Sequence, residues 1–358
     1  MKILFIIHAI TGGGAERVMV TLINSLCQRG YDISLLTDLD EPFAYDLDKR
    51  VELMSIHRSC PKGLKGIKRR LWGYTIIREA AKASKCDVVV SFLVEMNCAV
   101  ILSLLGTGIP VICSEHSNVL RSYNKNVLFK RNILYHLASA ITVLTHHDYN
   151  IWRRKFRNCV RMPNPCNLVD SHDVRPRNKT VLAVGRVNQW DIKGFDILIR
   201  AWGNLCHLFN DWQLQIAGNY DETSRAILDD IIKESKSNNV VFLGFRKDVE
   251  DLMDMSSIFC LSSRVEGLPM ALIEAMDRGC CCVAFDCATG PKEIIKNGES
   301  GLLAKANDVG DLSEKLKMVL SDQILRNRLS TKAPFSVKQY ASDKVTDRWE
   351  VLLGKIMK

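Results

Sequence analysis

The chain has 358 residues, 25% of them charged and 47% hydrophobic, a globular composition that excludes disorder, collagen and coiled coil. The length suits two domains better than one. The net charge of +9 is uneven: residues 1–165 carry 23 Lys+Arg against 13 Asp+Glu, and residues 166–358 carry 26 against 27, so the first half alone holds the positive excess.

The chain opens on Lys2-Ile-Leu-Phe-Ile-Ile-His-Ala-Ile10, which contains a histidine and lacks a small-residue cleavage site. It reads as a first strand and not as a signal peptide. Short Val/Ile/Leu-rich runs follow at 32–37, 51–56, 87–92, 110–114 and 141–144, then at 180–185, 213–217, 240–244, 258–261 and 281–285. They lack strict alternation, as expected of parallel strands buried on both faces, and the helical stretches between them make βαβ units. The uncharged run 96–114 is long enough to span a bilayer, but Gly106-Thr-Gly-Ile-Pro110 divides it into a helix and a strand. No segment is expected to cross a membrane.

The two halves begin alike. Residues 3–10, Gly12-Gly13-Gly14 and the helix carrying Val18, Leu22 and Leu26 up to Gly30 read strand, glycine loop, helix. Residues 180–184, Gly185-Arg186, Lys193-Gly194 and the helix with Leu198, Trp202 and Leu205 repeat the plan. The expected fold class is α/β, with two doubly wound Rossmann-like domains at 1–165 and 166–337 and ligands at the carboxyl ends of strands, in a cleft between the domains. In the segment 338–358, Val345, Trp349, Leu352, Leu353 and Ile356 form one apolar stripe of a helix that must cover something.

Two clusters dominate the positive charge. Arg58, Lys62, Lys65, Lys68, Arg69 and Arg70 precede Leu71, Trp72 and Tyr74; Arg153, Arg154, Lys155, Arg157 and Arg161 alternate with Trp152 and Phe156. Such clusters suit either an anionic membrane surface or a solvated helix face whose aromatics turn inward. No nucleic-acid module accompanies them, so nucleic acid is not an expected partner. The 13 cysteines contain no C-x-x-C pair and read as small buried hydrophobes of a reducing, cytoplasmic compartment.

The strongest chemical signal is Ser262-Ser-Arg-Val-Glu266-Gly-Leu-Pro-Met-Ala-Leu-Ile-Glu274. It follows a strand, with Pro269 expected as the first helical residue and Gly279 as the stop. Glu266 then lies in the loop before the helix and Glu274 inside it. Free amides around Gly267, Leu268, Met270 and Ala271 can hold a phosphate or sugar hydroxyls. A plainer alternative is a carboxylate that stabilises the helix dipole beside an ordinary surface glutamate. The second signal is Gly185-Arg186-Val-Asn-Gln-Trp-Asp-Ile-Lys193-Gly194, where a forked and a point cation bracket a strand-to-helix loop suited to a diphosphate. Its spacing is neither a Walker A loop nor G-x-G-x-x-G.

Together these motifs resemble a GT-B glycosyltransferase of the large retaining family 4. The E-x7-E signature is Glu266 and Glu274, and the G-R…K-G element is Gly185-Arg186 with Lys193-Gly194. Gly12-Gly-Gly-Ala-Glu-Arg17 resembles the N-terminal glycine loop, and Ser114-Glu-His116-Ser the second N-domain motif. Thr142-Val-Leu-Thr145 and Met162-Pro-Asn-Pro165 resemble the lead into the linker. The stretch from Phe285 through Thr289-Gly-Pro-Lys to Ile295 is similar to that of surface-polysaccharide transferases.

The resemblance implies that Arg186 and Lys193 neutralise the donor diphosphate. Glu274 would bind ribose hydroxyls and Glu266 the donor sugar. Phe245 and Arg246 would meet the base, Gly13 and Gly14 would approach the distal phosphate, and His116 would lie near the sugar or the reacting groups. The terminal helix would cross back onto the N-domain. The implied activity is metal-independent, retaining transfer of a hexose or N-acetylhexosamine from a nucleotide sugar, UDP-linked by expectation. The acceptor would be a polysaccharide or lipid-linked glycan, met peripherally at the cytoplasmic face of a membrane. No cofactor is expected, and Asp38-Leu-Asp40, Asp46-Leu-Asp48 and His146-His147 are not expected to bind metal. The alternatives are an epimerase or hydrolase of the same fold, and a non-catalytic sugar-nucleotide-binding partner subunit.

Overall fold

The computed structural model describes residues 1–57, 65–116, 124–169 and 176–357. Arg58 and Lys62 of the first basic cluster lie outside them. The chain forms two compact units: Met1–Asn167 together with Ala341–Lys358, and Leu168–Tyr340.

The first unit holds a seven-stranded sheet in the order β3-β2-β1-β4-β5-β6-β7. Its strands are β1 Lys2–Ile6, β2 Asp32–Thr37, β3 Glu52–Ser55, β4 Val88–Phe92, β5 Val111–Ser114, β6 Ala140–Val143 and β7 Cys159–Arg161. The second holds six strands in the order β10-β9-β8-β11-β12-β13: β8 Asn178–Val184, β9 Gln213–Ala217, β10 Val240–Gly244, β11 Ser256–Leu261, β12 Cys281–Asp286 and β13 Leu302–Lys305. Every strand pair is parallel. Counted from its own first strand, each sheet therefore has the doubly wound order.

Burial follows from that topology. β4 and β12 are apolar along almost their whole length because helices cover both faces. In the second unit Trp202 lies at the centre of the core, fully buried, and its indole N–H donates to the Asn238 carbonyl at 2.7 Å. All the described cysteines are free and buried, and burial pushes the thiols of Cys260 and Cys281 up to about 12. They are packing residues.

In the first unit the helix Gly66–Ser84 exposes Lys68, Arg69, Arg70 and Leu71 and turns Trp72 onto the core. Trp152 and Phe156 are buried, while Arg153, Arg154, Lys155 and Arg157 are exposed. No described helix is long and apolar enough to cross a membrane.

Candidate active site

Each sheet changes winding direction beside its first strand, between β1 and β4 in one unit and between β8 and β11 in the other. Loops leaving the carboxyl ends there diverge and leave a crevice, which is where open parallel sheets bind ligands.

In the second unit the loops at this point are locked together by glycines that admit no side chain. Gly218 has φ +150°, and a Cβ on it would stand 1.7 Å from the Gly185 carbonyl oxygen. The Gly185 N–H donates to Ala217 at 3.0 Å, and the Gly218 N–H to Gly244 at 2.8 Å. Gly194 has φ +65°, and a Cβ there would lie 1.9 Å from the Ser262 carbonyl oxygen. The Ser262 hydroxyl donates to the Lys193 carbonyl at 2.9 Å. The loop after β8 is thus seated directly on the loop after β11.

That seating brings Lys193 to Glu266, with Nζ 2.8 Å from Oε1. The aliphatic stem of Lys193 runs over Gly185, where a Cβ would be 3.3 Å from its Cγ. Arg186 leaves the same loop exposed. The site therefore presents one cation balanced by a carboxylate and a second in solvent.

Glu266 is fixed through its backbone: the Thr289 hydroxyl donates to its carbonyl. Gly290, at φ +92°, lies so close that a Cβ would stand 2.6 Å from the Gly267 oxygen and from Pro269 Cδ. The stretch after β12 therefore buttresses the Glu266–Pro269 loop. The following helix is Met270–Asp277 with Pro269 as its N-cap, one residue later than expected for the proline, because Pro269 keeps an extended ψ of 104°. Its ladder begins with Leu272 and Ile273 donating to the Pro269 carbonyl, so the first-turn amides of Met270 and Ala271 precede it. Leu268 is buried, Gly267 partly so, and Glu274 is partly buried one turn into the helix.

Two residues here escaped the sequence reading. Arg264 grips the Asp196 carboxylate with two nitrogens at 2.7 Å each and also donates to the Asp191 carbonyl. Its own N–H donates to Ile192 at 2.9 Å. The loop carrying Lys193 is thereby clamped from the β11 side. Arg264 lies in the stretch Ser262–Glu274, but its partner is 68 residues away. Phe245 follows β10 and is 64% exposed. Beside it the Arg246 guanidinium is held by Asp248, with Nε 2.7 Å from the carboxylate, and this pair pulls the Asp248 carboxyl below its usual range.

The first unit carries the remaining candidates. The N–H groups of Gly12 and Gly13 donate to the Glu16 carboxylate at 2.8 and 2.9 Å, at the N-terminus of the helix Gly14–Gln28, where negative charge is favoured. A Cβ on Gly13 would meet Glu16 Oε1 at 2.7 Å, whereas Gly14 faces open space. The loop's anion-binding amides thus already hold an internal carboxylate.

His116 lies at the end of β5, its ring stacked on Phe92 at 4.3 Å. Nδ1 is 3.1 Å from Asn164 Oδ1 and Nε2 is 2.9 Å from Ser114 Oγ, so the proton belongs on Nδ1 and the serine hydroxyl donates to Nε2. Burial lowers its pKa to about 3, and the ring is neutral at pH 7.

Its neighbour Glu115 is buried, with Oε1 accepting from Tyr135 Oη and Asn97 Nδ2; burial raises its pKa to about 6. Asp38, Asp40 and His57 place ligand atoms within 4.8 Å of one another. Both Asp38 oxygens are already engaged, by the Asp40 N–H at 2.9 Å and by His57 Nε2 at 3.0 Å. Asp48 is bound by Arg50 at 2.7 Å, and His146-His147 opens the helix His146–Trp152.

Both halves of the chain match known protein families. The family described as glycosyl transferases group 1 matches residues 167–334, and glycosyltransferase family 4 matches residues 12–168. The Campylobacter jejuni GalNAc-alpha-(1->4)-GalNAc-alpha-(1->3)-diNAcBac-PP-undecaprenol alpha-1,4-N-acetyl-D-galactosaminyltransferase is 32% identical, covering 99% of each chain. The amylovoran biosynthesis glycosyltransferase AmsD of Erwinia amylovora is 27% identical over 99% of each. Among solved structures, Anabaena HepE in complex with UDP and glucose shares the fold, with a TM-score of 0.83 at 17% identity, covering 99% of this chain and 100% of that one. By its two matched halves, its full-length relative and its paired doubly wound sheets, the chain belongs to the family 4, group 1 glycosyltransferases of the GT-B fold.

Proposed function

We propose that this glycosyltransferase moves a hexose or N-acetylhexosamine from a UDP-sugar to a hydroxyl of a lipid-linked glycan, with retention at the anomeric carbon. The acceptor is met at an anionic membrane surface. The observation that carries the donor half is the Lys193–Glu266 pair at 2.8 Å beside exposed Arg186. A diphosphate has more charge than a carboxylate and can draw Lys193 away from Glu266, which frees that carboxylate for the hydroxyls of the sugar. Support for the acceptor comes from the Campylobacter relative, whose name specifies an undecaprenol-linked glycan. Support for UDP comes from HepE.

Departure of the nucleoside diphosphate breaks the bond at the anomeric carbon. Arg186, Lys193 and the first-turn amides at Met270 stabilise, in this reading, the charge that develops on the leaving oxygen. In this reading no cation is needed for that charge. The acceptor oxygen attacks from the same face and gives its proton to the departing phosphate. Neutral His116 serves as a hydrogen-bonding group and not as an acid titrating near neutrality. Glu274 binds the ribose.

The test is a melting-temperature panel of UDP, GDP, ADP and UDP-sugars, with and without chelator, repeated on Lys193→Ala. UDP compounds at a hundredfold excess over Kd should add about 2.7 kcal/mol regardless of chelator. Lys193→Ala should weaken UDP about 10- to 100-fold, the worth of a charge-assisted hydrogen bond, and leave uridine unchanged. Equal losses for UDP and uridine would remove the diphosphate role. Breakdown of donor without any acceptor would favour the hydrolase alternative.

A further inference from the structure

In the first unit, the sheet edge opposite His116 carries a pocket that the transfer reaction does not use. It measures about 320 Å3 and is lined by His136, Ala138, Lys155, Arg157 and Asn158. Ala138 precedes β6 and Asn158 precedes β7, so the pocket opens at the amino ends of these strands. Ser114, His116 and Asn164 lie at the carboxyl ends. The volume is at the small end of ligand pockets, enough for a phosphate-bearing headgroup.

Its lining contains two cations, an imidazole and no carboxylate. Among the described residues no acidic side chain pairs with Lys155 or Arg157. Desolvation of its ammonium and, after it, the positive charge of Arg131 lower the pKa of Lys155. Two cations lining one pocket with no carboxylate in that lining favour a bound anion.

Asn158 gives the pocket a fixed wall, its amide donating to the carbonyls of Tyr135 at 3.2 Å and Ala138 at 2.6 Å. Beside it runs an apolar stripe. Phe129, Ile133 and Leu137 recur every fourth residue along the helix Lys125–Leu134 and the 3-10 turn Tyr135–Leu137, and are 67%, 52% and 58% exposed. Lys125 and Lys130 flank the stripe, also exposed. A soluble anion needs the pocket but has no use for three exposed large apolar side chains. A bilayer uses both, the acyl boundary taking the stripe and the headgroup phosphate taking the cations.

We propose that this edge of the first unit docks onto an anionic phospholipid bilayer, seating a lipid phosphate between Lys155 and Arg157 with Phe129, Ile133 and Leu137 in the acyl boundary. The proposal deepens the membrane part of the reading above and rests on it. It assigns docking to the second basic cluster and not to Lys68, Arg69 and Arg70.

The experiment is co-sedimentation of the full chain with vesicles of phosphatidylcholine, alone or with about a third phosphatidylglycerol. Lys155→Ala/Arg157→Ala should weaken binding to the anionic vesicles about 30-fold, the product of two cations at the membrane surface. Lys155→Arg/Arg157→Lys should retain it. Phe129→Ser/Ile133→Ser should weaken it at high salt, where electrostatic attraction is screened. Lys68→Ala/Arg69→Ala/Arg70→Ala should change it little. UDP-induced stabilisation and transfer to a detergent-soluble acceptor should stay at wild-type levels in every pocket variant; their absence in the wild type would defeat the donor reading while leaving docking standing. Wild-type vesicle binding by the Lys155/Arg157 variant, at an unchanged melting temperature, would overturn the proposal. So would saturation by inorganic phosphate at micromolar concentration with no vesicle binding, which would mark a soluble-anion site.

Discussion

Glu115 and His116 give the first unit two opposing pH slopes: burial lowers the His116 pKa to about 3, so its contribution is lost on acidification, whereas that of Glu115 is lost as pH rises. The Glu115 carboxyl is buried among Tyr135, Asn97 and the end of β5, with Arg131 favouring and Asp148 opposing its charge. The folded pKa of about 6 stands above the ordinary 4.5, so the folded state holds a proton that the unfolded chain has released. The associated stability is fully present below pH 4.5 and is lost as pH rises through about 6, a cost of about 2 kcal/mol at pH 7. Glu115→Gln keeps an oxygen for Tyr135 and Asn97 and removes the ionisation. It should raise the melting temperature of the first unit at pH 7 by about 4–8 °C and remove the Glu115 contribution to the pH slope, so that stability climbs more steeply from acid to neutral pH as His116 loses its proton only in the unfolded chain. An unchanged pH slope in calorimetry would refute this role. The juxtaposition of Lys193 and Glu266 was legible as letters because charge beside glycine at a strand end has few uses. Glu115 and Glu16 were not, although they lie in Ser114-Glu-His116 and Gly12-Gly-Gly-Ala-Glu-Arg17. An acidic letter carries no sign of whether it will be buried or will fold back onto amides.

At the scale of elements, glycine divides into two kinds that the sequence does not distinguish. Gly194 ends the short helix Trp190–Lys193 at φ +65° and lets Ser262 approach. Gly354 sits exposed inside the helix Ser342–Ile356 with nothing within 4 Å of a would-be Cβ. Gly194→Ala adds left-handed strain of about 1–2 kcal/mol to an overlap that must move the Ser262 backbone. It should lower the melting temperature of the second unit and weaken UDP binding together. Gly354→Ala only removes backbone freedom in a helix and should stabilise the first unit by about 0.5–1 kcal/mol. Opposite signs in thermal melts are the expected result; two losses would remove the distinction. The longer strands were readable from their apolar runs. The four-residue β3, β5 and β6 were readable as well, whereas β7, Cys159–Arg161, and β13, Leu302–Lys305, were missed because each offers only two or three apolar letters before a charge. The expected first boundary at residue 165 and the observed division after Asn167 differ for a related reason: Cys166 makes a bridge with Ala341, a pairing visible only once the chain has returned.

At the scale of the molecule, the first unit is built from both ends of the chain. After the second unit closes at Tyr340, the Ser342 N–H donates to Cys166 at 2.9 Å and its hydroxyl to Asn167 at 2.6 Å. The last helix then packs on the helix Gly14–Gln28 and buries Val345, Trp349, Leu352 and Leu353. Arg29 at the end of that helix holds Asp347 at 2.7 Å, pairs with Glu350 and donates to the Asp343 carbonyl. The apolar stripe was legible in the sequence from its helical spacing; the Arg29 clamp was not, since its partners are more than three hundred residues away. Trp349, 2% exposed, is the largest of these buried side chains. Trp349→Ala should cost the first unit about 3–5 kcal/mol, whereas Arg29→Met, which removes partly exposed ion pairs, should cost about 1 kcal/mol or less per pair. Because the stripe belongs to the first unit alone, calorimetry should show the first unit's transition moving down in Trp349→Ala while the second unit, and its stabilisation by UDP, stay where they were. If both transitions fell together, the last helix would have to support the two units jointly, and the assignment of its apolar face to the first unit would fail.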